Sequence, residues 1–206
     1  MRKLDKGTPM PSFTEFISHH HPTTWDDAKA VSRVWREYIL ESEQHHLSGY
    51  TEEPLHLDSS HIDHFRKQSL FNTLVFDWNN YIVDGKNETY GAKYKDNVVK
   101  TKSDNDRLIN PAVEDASRFF KYELNGQIDV ADGLTDDEKE RAEYTCKAFN
   151  LNESSLVERR RVIINTILEP FNDLSDDVIL AALADEGFTS VVEQLLKERK
   201  TGEDTI

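Results

Sequence analysis

The stretch Ser60-His61-Ile62-Asp63-His64-Phe65-Arg66-Lys67-Gln68-Ser69 places two imidazoles and a carboxylate within four residues. An Asp followed at once by a His, at the end of a short strand, suits metal-assisted phosphodiester hydrolysis. The carboxylate would hold one divalent cation. The imidazole, which titrates near working pH, would take a proton from water. The cation would neutralise charge on the phosphate and on its leaving oxygen. Arg66 and Lys67 could hold flanking phosphates. His61 could add a ligand or serve as a hydrogen-bonded structural histidine. The same residue types also occur scattered over solvated surfaces, so the chemistry depends on what surrounds them.

Strand-like alternation over Leu55, Leu57, Ile62 and Phe65 predicts that the stretch ends a strand. Residues 74–83 are rich in β-branched and aromatic types, interrupted by Asp77-Trp78-Asn79-Asn80. Residues 84–106 are polar and predict a long loop holding a short helix. Before this core, Ser12-Phe13-Thr14-Glu15 and Thr24-Trp25-Asp26-Asp27 have the pattern of helix N-caps. Ala28, Val31, Trp35, Tyr38 and Ile39 recur at helical steps and predict a helix from about Trp25 to Ser42. Asn125-Gly126 between apolar runs predicts a hairpin. Thr135–Glu138 is a capping box for a helix to about Phe149. Further helices are predicted from Asn152 to Pro170, from Ser175 through Leu183, and from Ser190 to the Lys-rich tail.

The chain has 206 residues, 25 Lys+Arg against 39 Asp+Glu, and a net charge of −14. The acidity is uneven: residues 61–122 sum to +1 and residues 132–206 to −9. A strongly acidic chain does not bind a phosphate backbone non-specifically. Its apolar runs are too short to cross a membrane. Met1–Lys6 is followed by no apolar stretch, which predicts no secretory signal and a cytoplasmic location. The single Cys146 excludes an internal disulfide and a multi-cysteine zinc site, and on its helix it reads as a small core hydrophobe. His19–His21 and His45-His46 are candidate metal ligands or exposed loop residues. Arg159–Arg161 is a basic cluster on a helix, either on a solvated face or against nucleic acid or an acidic partner.

Taken in order, His61–Phe65 with its basic run, Phe76-Asp77-Trp78-Asn79-Asn80, the Lys-rich loop and Ile109-Asn110-Pro111 resemble the HNH (ββα-metal) endonucleases. More narrowly they resemble the PtuB-like branch of the Septu and retron anti-phage systems. The resemblance covers roughly residues 1–168. It implies an α+β protein with a small ββα-metal core, residues 47–131, between an N-terminal helical segment, 1–46, and a C-terminal helical region, 132–206. It implies a metal-dependent endonuclease acting on DNA or on structured RNA such as tRNA. His64 would be the base, Asn80 the brace of its loop, and Asp63 a ligand of a Mg²⁺-like ion, with His61 and Asn97 as further ligands. Lys93 and Lys95 would face nucleic acid with Arg66 and Lys67. The implied partners are a PtuA-like ATPase and, in retron versions, a reverse transcriptase with its RNA–DNA hybrid.

Two departures qualify this. Ser48 and Thr51 in Leu47–Glu52 stand where the family carries a Cys-x-x-Cys knuckle, and Gly91–Asn97 lacks the second pair. No structural zinc is expected, and packing around Tyr50 and Tyr94 is expected instead. The position best matching the last metal ligand is Ala92, which cannot ligate; Asp96 or Asn97 could substitute. The alternative is therefore a catalytically decayed HNH-like subunit kept as an assembly or regulatory partner of the ATPase.

Overall fold

A computed structural model describes residues 1–203 and the side chains of residues 1–200. The chain is α+β, with eight α-helices and two separate two-stranded antiparallel sheets among the described residues. β1 (Ser60–His64) pairs with β2 (Tyr81–Gly85) in the register Asp63↔Ile82 and His64↔Tyr81. α3 (Gly91–Val98) follows, so β1, β2 and α3 run in ββα order.

The N-terminal elements differ from the sequence expectation in detail. α1 (Pro11–His20) starts with Pro11 rather than after a Ser12 cap, because proline's fixed φ and missing N–H suit the first helical position. The helix expected over 25–42 is split into a 3-10 turn, Trp25–Ala28, then α2 (Ser32–Tyr38), then a π-turn, Ile39–Glu43. The Asp27 carboxylate does cap this start, accepting the N–H groups of Thr23 and Thr24. The polar stretch after β2 holds two helices, α3 and α4 (Lys102–Asp106), where one was expected.

β3 (Phe120–Tyr122) and β4 (Ile128–Val130) form the hairpin around Asn125-Gly126. Gly126 has φ 87°, and a Cβ there would clash with the Val157 carbonyl oxygen, so a larger residue would force the hairpin and the chain around Val157 apart. α5 (Asp136–Ala148) opens with the reciprocal Thr135–Glu138 box. α6 (Ser154–Leu168) is capped by Glu153 rather than Asn152, whose side chain is used elsewhere. α7 (Asp176–Leu183) and α8 (Thr189–Glu203) complete the fold, α8 beginning one residue before the expected Ser190.

Two hydrophobic clusters sit on either side of the β1–β2 ribbon. The smaller gathers Phe13, Trp35, Trp78, Tyr81 and Val83. The larger runs from Tyr50, Phe65 and Ile82 to Ile164 and Leu196. Strand alternation sends Tyr81 and Val83 to one and Ile82 to the other. The segments also meet through a buried pair, in which the Met1 ammonium lies 2.9 Å from Glu52. Glu52 further accepts from Ser190 of α8. Burial would raise this carboxyl, but the ammonium and Ser190 bring it down to about 2.

Strand edges are closed by side-chain amides. Gln44 bonds both the N–H (2.7 Å) and the C=O (2.8 Å) of Val83. Gln194 does the same at Tyr122, and Asn152 at Ile128. A primary amide carries one acceptor and two donors in a plane, so it imitates the missing neighbouring strand.

Candidate functional site

Adjacent strand residues point to opposite faces, and this separates Asp63 from His64. Asp63 faces α3 with His61, Ile82 and Asp84. His64 faces the N-terminal aromatic cluster with Ile62, Tyr81 and Val83. The two side chains expected to share one ion and one water therefore lie on different sides of the ribbon.

On the first face, Asp63 is 5 % exposed, and its Oδ2 accepts from the Tyr50 hydroxyl at 2.5 Å and from Lys95 Nζ at 2.7 Å. Burial alone would raise the Asp63 carboxyl. The Lys95 charge and the two hydrogen bonds overcome this, and it titrates below its ordinary range. Lys95 is fully buried, so it is not placed to meet nucleic acid. It sits on the inward side of α3 with Ala92, one turn before Val99. Its ammonium also lies 3.3 Å from the His64 carbonyl oxygen and 3.3 Å from Asp96 Oδ1.

On the second face, both nitrogens of His64 are engaged. Nε2 lies 3.0 Å from the Val75 carbonyl oxygen, and Nδ1 lies 2.9 Å from the Gln68 amide nitrogen. A carbonyl only accepts, so Nε2 carries the proton and Nδ1 accepts from Gln68. The ring meets Trp25 edge-on at 4.7 Å and Tyr81 at 5.0 Å. Burial lowers its pKa and keeps it neutral. Neither nitrogen is turned to a water that it could deprotonate.

Asn80 joins the residues after β1 to the segment before β2. Its amide bonds both the N–H (2.7 Å) and the C=O (3.1 Å) of Arg66, and its NH₂ also reaches the Leu74 carbonyl oxygen. Arg66 pairs with Asp106 at 2.6 Å and lies over the Phe71 ring. Lys67 donates to the Asp96 carbonyl oxygen, and Lys93 pairs with Glu88. His61, Asp63, His64, Lys67, Gln68 and Asp96 line one shallow groove. In it, His61 Nδ1 and Asp96 Oδ1 are buried without a hydrogen-bond partner. Burial raises the Asp96 carboxyl, and the nearby Asp63 charge adds to this. Asn97 is exposed and does not line the groove.

The turn that matches the first knuckle is held by hydrogen bonds. Ser48 Oγ accepts from the N–H groups of Tyr50 and Thr51 and donates to Asp84 Oδ1 at 2.5 Å. Asp84 Oδ2 accepts the Ala92 N–H at the start of α3, where Gly91 (φ 73°) leaves room for it. Thr51 and Tyr90 both donate to Glu53, which also pairs with Arg159. Tyr50 packs on Phe149 as expected of a core aromatic, but the second tyrosine of this region is Tyr90, not Tyr94.

Other candidates fall outside the groove. Arg160, read as part of a surface cluster, is 1 % exposed and donates to the Gly126 and Leu151 carbonyl oxygens. Cys146 is half-buried, with burial pushing its thiol up to about 11. The residues that the sequence expectation did not assign are Tyr50 as a donor to Asp63 and Gln68 as the partner of His64. Lys95 falls at helical spacing between Ala92 and Val99, and that pattern marks a position facing inward.

Among the described residues, no group of three His, Cys, Asp or Glu side chains is arranged to hold a metal ion. The donors present do not fit a divalent ion: Asp63 is neutralised by Lys95, and His64 is closed by Val75 and Gln68. No family model matches this chain, and no curated protein matches it. No described helix is long and apolar enough to cross a membrane.

Proposed function

We propose that this chain is the HNH-like subunit of an anti-phage assembly and serves a PtuA-like ATPase as an assembly or regulatory partner rather than as the hydrolase. The observation that carries this is the closure of both halves of the Asp63-His64 pair, by Lys95 on one face and by Val75 and Gln68 on the other. The family resemblance supplies the partner, with a reverse transcriptase and its RNA–DNA hybrid in retron-type systems. The region from residue 132 onward, net −9, offers an acidic surface suited to a protein and poorly suited to a phosphate backbone.

The test is co-expression with the ATPase of the same system. A stable complex without Mg²⁺-dependent cleavage of DNA or tRNA, unchanged by His64→Ala, is the expected result. Metal-dependent cleavage that His64→Ala abolishes would overturn it.

One observation favours the second reading, an active HNH-type endonuclease. His61, Asp63, His64, Lys67 and Asp96 line the same groove, with His61 Nδ1 and Asp96 Oδ1 lacking a hydrogen bond. That reading requires His64 to leave Val75 and Lys95 to leave Asp63, and the same assay decides between the two.

A further inference from the structure

We propose that Lys95 is a resident cation: its ammonium takes the place of a divalent ion at Asp63 and joins β1 to α3 without metal. Three oxygens surround Nζ, namely Asp63 Oδ2 at 2.7 Å, the His64 carbonyl oxygen at 3.3 Å and Asp96 Oδ1 at 3.3 Å. Two carboxylates and a carbonyl are hard donors, the set that Mg²⁺, Mn²⁺ or Ca²⁺ takes at about 2.0–2.6 Å. Here they stand at hydrogen-bond and ion-pair distances instead, because an ammonium is the larger centre.

The charge is also one short of what a divalent ion would bring. Lys95 supplies one positive charge against Asp63 and Asp96. Asp63 takes it, with a second hydrogen bond from Tyr50. Asp96 Oδ1 has the ion-pair distance but no hydrogen bond. The tether makes the substitution permanent. Lys95 is rooted on the buried face of α3 and is fully covered, so its ammonium does not exchange with solvent cations. The same covering keeps Asp63 from acting as a ligand while Lys95 is in place.

This rests on reading Asp63 as a cation's place, and not on assembly with an ATPase. Removing the tethered cation should then create a metal site. The wild-type melting temperature should be unmoved by EDTA, Mn²⁺ or Ca²⁺. Lys95→Ala leaves the buried Asp63 carboxylate without its cation, beside the half-exposed Asp96, and should melt about 10 °C lower. Mn²⁺ or Ca²⁺ should restore most of that loss, and should restore none of it in the double variant K95A/D63N. A neutral pair of similar volume, K95M/D63N, should fold and ignore metal, showing that the position tolerates loss of the ammonium.

If Lys95→Ala does not fold in EDTA, refolding by dilution into Mn²⁺ replaces the melt. Recovery only with metal supports the proposal, and no recovery in either overturns it. A folded Lys95→Ala chain indifferent to both ions overturns it as well. So does a wild-type chain that gains stability from Mn²⁺ through Asp63. Loss of the ATPase complex would remove the proposed function and leave these melting curves as they are.

Discussion

The two faces of the β1–β2 ribbon are built from neighbouring residues and held by different physics. The face of Asp63 is ionic: a carboxylate, an ammonium and a phenol, all three buried. The face of His64 is aromatic: a neutral imidazole among Trp25, Tyr81 and a backbone carbonyl. An ion pair taken out of water stabilises only while both partners remain, since a lone buried charge is costly. A neutral hydrogen-bonded ring loses much less when it is replaced, because its partners find others. The Val75 carbonyl already has a second donor, the Tyr81 hydroxyl at 2.7 Å. The faces should therefore differ sharply in their response to single substitutions.

The largest effect is expected from Asp63→Ala, which leaves the buried Lys95 ammonium with only the half-exposed Asp96 and the His64 carbonyl oxygen at 3.3 Å, and should cost about 3–5 kcal/mol in urea unfolding at neutral pH. A cost under about 1 kcal/mol would mean that Lys95 escapes to solvent and that the ionic face is loosely held. His64→Leu should cost only about 1–2 kcal/mol in the same measurement. Equal costs for the two would erase the contrast between the faces.

The faces should also separate by pH. Burial depresses the His64 pKa in the folded chain, so the unfolded chain takes up the proton first, near pH 6.5. Stability therefore falls as pH drops below about 6.5, and His64→Leu should flatten this part of the melting-temperature profile. Asp63 has a lowered folded pKa, so its contribution is full above about pH 3.9 and is lost on acidification below that. A His64→Leu profile that overlays the wild type between pH 5 and 7 would show that the ring is not held neutral, on the order of its usual titration range.

Smaller still is the expected effect of converting an edge amide to a carboxylate. Gln194→Glu replaces the donor to the Tyr122 carbonyl with an acceptor and should cost about 1 kcal/mol. The smallest change is expected from Arg33→Ala. The Arg33–Asp58 pair is 59 % and 85 % exposed, and its loss should fall within the scatter of the measurement.

Sequence by itself determined what depends on near neighbours. The Thr135–Glu138 box and the Asn125-Gly126 hairpin are set by residues within one turn, and the structure has both. The helical order of the last third follows from spacing and caps for the same reason. The α+β class is legible from these patterns together. The break of the 25–42 helix was not legible, since nothing local forbids its continuation. It follows from packing Trp25 against His64 and Trp35 against Phe13 at once.

The site divides the same way. That Asp63 and His64 sit on a strand could be read from alternation. Which cation meets Asp63 could not, because Lys95 lies 32 positions away and arrives only when α3 docks on the ribbon. The closure of His64 depends on Val75 and on the aromatic cluster, both brought by the fold. Burial and partner choice are long-range properties. They change a residue's chemistry without changing its local pattern, and at this site they turned two candidate catalytic groups into a buried ion pair and a neutral ring.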